Sequence, residues 1–341
     1  MTAKFPLRST LILGAIGVTA VVAPFFLIRA NIIDAYIASI LTIGGINAIM
    51  AMSVNMIVGV TGQLSLGQAG FLAIGAYACI FFHSGVGMPL PVAFVCAVLF
   101  TALAGFLIGF PVLKLSGDYL AIVTLGFGEI IRVVFNGLRI VFYGQEHNPL
   151  GGPVGTRFTT GMAMILNPGL AFVVTTGMLV LVLILLQNFL RSSYGRAIKA
   201  CREDEIAANA SGINIYRYKM LGFVMSAFIA GIGGALFVMA RGFVEPNDAQ
   251  FIRSIDFLIF VVLGGMGSMT GAILSAYVLT YLQEFLRFLN EFRFIIYPII
   301  LILVMLFRPK GLLGTRELSF IGLIDKISAK FVALRRKGGS A

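Results

Sequence analysis

Ionisable and metal-ligating side chains are scarce in this sequence, and their positions limit the chemistry open to it. The histidines are His83 and His147, and the cysteines are Cys79, Cys96 and Cys201. Their separations give neither a metal-ligand spacing nor a disulfide framework. No His-Glu-x-x-His occurs, and Gly-Lys is absent as a dipeptide, so neither a zincin helix nor a phosphate-cradling P-loop is encoded. One pair of charges stands out. Glu129 and Arg132 lie three positions apart in an apolar stretch, so on a helix they share a face and can pair. Counted from a helix start near Tyr119, Glu129 lies about 15 Å in, close to mid-bilayer if that stretch crosses a membrane. A lone charge at that depth is costly, so pairing and an inward orientation are expected. The pair either fixes helix packing or lines the path of a zwitterionic solute. Asn47, Asn55, Gln63, Ser65 and Gln68 carry the same two readings, as path-lining groups or as interhelical hydrogen bonds.

The elements that must position these groups are membrane helices. Of the 341 residues 59% are hydrophobic and 11% charged, against roughly 25% charged in an average soluble domain. From Ala35 to Leu113 there is no Lys, Arg, Asp or Glu, and about 20 apolar residues suffice for one crossing. Trp is absent, which leaves Tyr and Phe to form any interfacial belt. The net charge of +11 does not read as a nucleic-acid surface. Its Lys and Arg gather at Lys4 and Arg8, from Arg191 to Lys219, and from Arg308 onward, which is the positive-inside pattern. The expected class is all-α, a polytopic integral membrane protein with about 8–10 transmembrane helices, some broken or re-entrant.

Crossings are expected at Ser9–Ile28 (an anchor rather than a cleaved signal), Ala35–Val60, Met88–Leu113, Tyr119–Phe142, Pro168–Leu190 and Met220–Ala240. If Lys4, Arg8 and the basic 191–219 loop all face inside, an even number of crossings separates them. The segment Thr61–Phe82 must then cross, although Thr61-Gly-Gln-Leu-Ser-Leu-Gly-Gln-Ala-Gly70 is a poor lipid-facing helix. The chain is next expected outside at Arg241–Arg253, with a final span near Leu289–Phe307 returning it inside. Ser254–Leu286 must therefore enter and leave, yet its 33 residues fall short of the roughly 40 that two crossings need. A pair of half-helices broken at Leu263-Gly-Gly-Met-Gly-Ser-Met-Thr-Gly271 satisfies both demands. Helix breaks at membrane depth survive only where protein or a wet cavity shelters them. Two of them, one in each half, point to a central pathway that includes Gly264, Gly265 and Gly267, with close helix packing as the alternative use of these glycines.

The hydrophilic loop offers a second site. Arg196 to Ser211, followed by Gly212, is Ala- and Glu-rich with charges of both signs, and predicts a short helix with its stop signal. Its Glu205-Ile-Ala-Ala208 core with Gly212 four residues on resembles the coupling-loop motif of ATP-binding cassette importer permeases. Further blocks match in order. Thr61 to Phe71 is similar to the hallmark of the branched-chain amino acid permease family, and Gly117 to Arg132 to a block of its LivM-type members. Arg196–Leu236, Val262–Ser268 and Phe307–Gly314 supply three more. Two positions depart from the pattern. Leu150-Gly-Gly-Pro-Val-Gly155 stands where members often begin with Thr, and Thr270 stands where some carry Trp.

The resemblance implies a pore-forming permease subunit, not an enzyme, that works by alternating access in a bacterial inner membrane. It implies a homologous second permease, two ATP-binding subunits that hold the ATP, and an extracytoplasmic substrate-binding protein. Arg196, Arg202, Glu203, Asp204, Glu205, Ala207, Ala208 and Gly212 would then form the ATPase-coupling loop, with no cofactor or metal bound by this chain. Residues 1–314 form the expected membrane domain, with the 191–219 loop and both termini cytoplasmic. Residues 315–341 form a basic tail whose apolar spacing suits an amphipathic helix on the inner leaflet. Two rivals are a related importer of urea or short amides and a stand-alone secondary transporter, for which Glu129, Asp256 and Glu284 are the available acids. A membrane enzyme lacks paired catalytic groups.

Overall fold

The computed structural model describes residues 34–115, 117–141, 150–158 and 167–308, with 311, 312 and 314. The expected Ser9–Ile28 anchor and the 315–341 tail lie outside the described residues. What is described is almost wholly helical. Helix α1 (Ala35–Val54) runs into a π-helical turn at Asn55–Val60. Residues 61–67 are irregular, and α2 (Gln68–Ile80) follows, ending in a second π-turn at Phe81–Gly85. Then come α3 (Leu90–Val112), α4 (Asp118–Gly137) and α5 (Pro168–Arg191). The hydrophilic loop forms α6 (Ser193–Glu203) and α7 (Glu205–Ala210), and α8 (Ile215–Arg241) returns into the bundle. Helices α9 (Phe251–Gly264) and α10 (Met269–Phe285) form the bent pair, and α11 (Arg293–Phe307) follows a 3-10 segment at Leu286–Phe292.

Among the described residues five helices are long and apolar enough to cross a membrane, and α9 with α10 makes a further pair bent by 120°. Helix α8 is the centre of the bundle, packed against α1, α2 and α3. Small residues let it sit close, as where Gly75 of α2 lies against the backbone of Gly231. Short strands β1 (Thr156–Arg157) and β2 (Phe243–Val244) pair antiparallel, Thr156 opposite Val244, and tie the loop before α5 to the end of α8.

Contacts define two ends of the bundle. At the loop end, Tyr216 Oη at the start of α8 donates to the Phe110 carbonyl at 2.9 Å, near the close of α3. At the far end, Tyr36 at the start of α1 donates to Glu284 at the close of α10. The expected broken crossing at Thr61–Phe82 is irregular in its first part and helical in the rest. Gly62 lies against Arg202 at the loop end, while the Ala69 amide donates at 3.0 Å to Ser254 Oγ, one turn into α9 from its far-end start. The re-entrant pair likewise behaves as parity demands. Helix α9 is about 21 Å long at 1.5 Å per residue, descends to the loop end and turns back as α10.

Three boundaries differ from the sequence reading. Helix α4 stops at Gly137 rather than Phe142, after which Ile140 bridges back to Leu150. Helix α8 begins at Ile215 because Asn214 caps it, its Oδ1 accepting from the Arg217 amide at 3.1 Å. The loop helix is two helices, because the Asp204 carboxylate accepts from the Ile206 and Ala207 amides at 2.8 and 3.0 Å and starts a new one.

Candidate functional site

The two Gly-rich breaks meet at the loop end. The Asn55 side chain leaves the π-turn and joins them, its Oδ1 accepting from the Gly267 amide at 2.8 Å and its Nδ2 reaching Met269 Sδ at 3.3 Å. Gly265 and Gly267 take φ of 109° and 91°, left-handed values that let the chain reverse between α9 and α10. Gly59 is required for closeness instead, since a Cβ there would strike Asn55 Oδ1 and lie 2.5 Å from the Gly267 nitrogen. Gly264 is a packing residue, its Cα facing the Gly271 backbone. A π-turn leaves backbone groups poorly matched to an α-ladder, and here an outside group takes one. Arg202 Nη1 of α6 donates to the Gly59 carbonyl. A loop arginine therefore grips the first break at the point where it touches the second.

Above this junction the remaining predicted polar residues separate. Ser53, Gln68 and Ser226 form a closed buried set. Ser53 Oγ donates to Gln68 Oε1 at 3.0 Å, and Gln68 Nε2 donates to Ser226 Oγ at 3.0 Å. Gln68 thereby fastens α1, α2 and α8 and is buried among them. Gln63 Oε1 accepts from Thr61 Oγ1 at 3.3 Å, and the buried Ser65 hydroxyl has no partner among the described residues. Asn47 lies elsewhere, donating to Thr280 at 3.0 Å on the wall of a far-end cavity of about 360 Å³. That cavity lies between α1, α10 and the start of α9, with the buried Phe257 and Phe260 at its base.

Glu129 and Arg132 pair at 2.6 Å as their spacing predicts, but they do not line this cavity. Glu129 Oε1 instead accepts from the Phe251 amide at 3.3 Å, so it satisfies a free donor at the α9 N-terminus and pins the start of the re-entrant pair to α4. The sequence reading missed a neighbouring cluster. Asp248, 2% exposed, accepts from Arg241 at 3.0 Å and from Arg253, bracing the end of α8 against the start of α9. The spacing Arg-x3-Glu-x2-Asp-x4-Arg was visible in the outer loop, but nothing in it required the carboxylate to be buried.

On the loop, the coupling residues divide between scaffold and surface. Asp204 is committed to its cap, and Glu205 pairs with Lys219 at 2.6 Å, holding α7 to α8. Arg196 donates to the Arg191 carbonyl at 2.9 Å. Ala208 is buried against the scaffold, Ala207 is exposed, and Gly212 closes α7 at φ 79°. Glu203 is exposed, and Ile206 is 84% exposed, an apolar side chain held out from a rigid helix. Burial pushes the Cys201 thiol up from its ordinary value. Among the described residues no three His, Cys, Asp or Glu side chains gather as metal ligands.

This arrangement joins a surface loop to two breaks inside a bundle of apolar helices. The family described as the branched-chain amino acid transport system permease component matches residues 36–307. The chain belongs to that family. It is 37% identical over 325 residues to the high-affinity branched-chain amino acid transport system permease protein LivM of Escherichia coli K12, covering 90% of this chain and 75% of the relative. The corresponding protein BraD of Pseudomonas aeruginosa is 30% identical over 313 residues, 81% of this chain and 94% of the relative. LivH of Salmonella typhimurium is 34% identical over a shorter 140 residues, 40% of this chain and 45% of the relative. No solved structure matches significantly. As a family member the chain is a multi-pass membrane permease, and both junction halves, Asn55 to Gly59 and Gly264 to Gly267, fall within the matched range.

Proposed function

We propose that this chain is one of two permease subunits of an ATP-driven importer of branched-chain amino acids. The observation that carries the reading is the Arg202 contact. A chain without a nucleotide site needs force from outside, and a loop helix that presents Glu203 and Ile206 outward while gripping Gly59 inward is a route for that force. On this reading two ATP-binding subunits dock on α6 and α7, bind the ATP, and move the loop. The junction of the π-turn and the α9–α10 turn then changes packing, and the bundle alternates between openings at its far and loop ends. The loop end is cytoplasmic, as are both chain termini, because the basic residues concentrate there. The far end receives cargo from an extracytoplasmic binding protein in the bacterial inner membrane. Relatives named LivM and LivH support a homologous second permease as the partner across the pore.

The test is reconstitution of the four membrane subunits in proteoliposomes with the binding protein supplied outside. ATP-dependent leucine accumulation, absent without either permease, is the expected result. Accumulation of urea but not leucine would replace the cargo. Gradient-driven uptake by this chain alone would replace the mechanism.

A further inference from the structure

The far-end cavity is lined by a carboxylate that the helix contacts do not consume. Asp256 lines the cavity, is half-buried, and makes no hydrogen bond or ion pair with any described residue. Arg253, one turn earlier on the same face of α9, gives Nη1 to Asp248 and keeps other guanidinium N–H groups for the cavity it also lines. Ile40 and Ile43 of α1 and Phe257 of α9 give the lining an apolar strip, beside the polar Asn47, Gln283 and Glu284. The charge nearest to Asp256 is that of Arg253, with which it interacts electrostatically, and an ionisable pair facing a cavity inside a membrane bundle marks a solute or ion path. Glu284 also lines the cavity but is engaged by Tyr36 and Arg287, and a proton relay to the loop end needs further titratable groups, of which the hairpin from Phe257 to Gly267 carries none. The volume, about 360 Å³, lies at the small end of the range of about 300–1,000 Å³ for ligand sites.

We infer that this cavity is the subsite through which the permease itself reads its cargo, and that it takes the head group of a zwitterionic amino acid. Asp256 accepts from the α-ammonium, Arg253 donates to the α-carboxylate, and the aliphatic side chain lies along Ile40, Ile43 and Phe257. The assignment rests on the amino-acid permease reading above. Selectivity is then not left wholly to the binding protein, because a cargo without an ammonium group offers Asp256 no hydrogen bond in exchange for the water it displaces.

The reconstituted complex provides the test. Asp256→Asn is expected to lower leucine imported per ATP by at least about tenfold, the worth of one hydrogen bond to a charged group. ATPase stimulation by the loaded binding protein persists, and Asp256→Glu recovers much of the import. A second arm holds even where Asp256→Asn fails to assemble. Gln283→Cys, placed on the cavity wall in a Cys96→Ser background, reacts with a charged thiol reagent, and millimolar leucine slows that reaction where urea does not. Cys79 and Cys201 are buried and stay silent. Wild-type import per ATP in Asp256→Asn, or labelling of Gln283→Cys indifferent to leucine, overturns the subsite alone. A wild-type complex that imports no leucine overturns the functional reading, and the subsite with it.

Discussion

Arg202→Ala is the sharpest probe of the coupling route, because it removes one contact between the loop and the breaks and leaves the loop helices their own supports. Asp204 still caps α7, and the Glu205–Lys219 pair still ties α7 to α8. What disappears is the guanidinium bond to the Gly59 carbonyl, together with the stem that lies against Gly62. A hydrogen bond to a charged group contributes about 1.5–3 kcal/mol, and one site can bias another by no more than the contact joining them. Leucine imported per ATP therefore falls roughly 10- to 150-fold if this bond is the main link. Arg202→Lys keeps the charge on a flexible stem without the planar fork and falls between the two. The assay is paired uptake and phosphate release in proteoliposomes, with co-purification of the ATP-binding subunits as the control for docking. An unchanged ratio of leucine to ATP in Arg202→Ala refutes the route. Loss of co-purification makes Arg202 a docking residue instead.

Gly59→Ala drives a methyl group into Asn55 and Gly267, and overpacking of about 1–3 kcal/mol lowers the thermal midpoint of the detergent-solubilised chain. A melt identical to wild type would show that the two breaks are not in contact. Asp204→Ala removes a cap worth about 1 kcal/mol, so the Ile206 and Ala207 amides exchange hydrogen faster while the α8 core does not change. Ile206→Glu leaves the scaffold intact, because the side chain is exposed, and weakens co-purification of the ATP-binding subunits. Single labels at Asn247→Cys and Ser211→Cys, both exposed positions, react from opposite faces of sealed vesicles. The native Cys201, its thiol held protonated by burial, stays unlabelled at neutral pH and reacts only above the ordinary thiol range.

Much of this architecture was legible because lipid is a strict solvent. Charge parity alone required Thr61–Phe82 to cross and Ser254–Leu286 to double back, and glycine content located both breaks. The Glu129–Arg132 pair followed from helical spacing. Which partners those groups would meet was not legible. Glu129 read as a mid-membrane charge because its depth was counted along its own helix, whereas its second partner, the Phe251 amide, comes from a segment 122 residues away. Gln68 and Asn55 looked equivalent in sequence, yet one is consumed between packed helices and the other bridges the breaks. The split of the loop helix was readable in principle, since an Asp followed by Glu-x-Ala-Ala is a start signal. An uninterrupted run of good helix formers masked it.

The re-entrant pair also constrains how the chain is made. An α9 of about 21 Å is shorter than a hydrocarbon core of about 30 Å, so it has no stable lipid-exposed state as a free span. Its turn exposes backbone amides, and the amide at Gly267 is answered by Asn55, a residue synthesised 212 positions earlier. Chain growth from the N-terminus therefore places Asn55 before the hairpin emerges, and Leu312, whose amide donates to the Leu263 carbonyl at 2.7 Å, closes over the turn afterwards. Insertion of residues 251–285 becomes a templated, late step of biogenesis, and a defect at Asn55 would appear first as a hairpin stranded outside the bilayer, before any fault in transport could be measured.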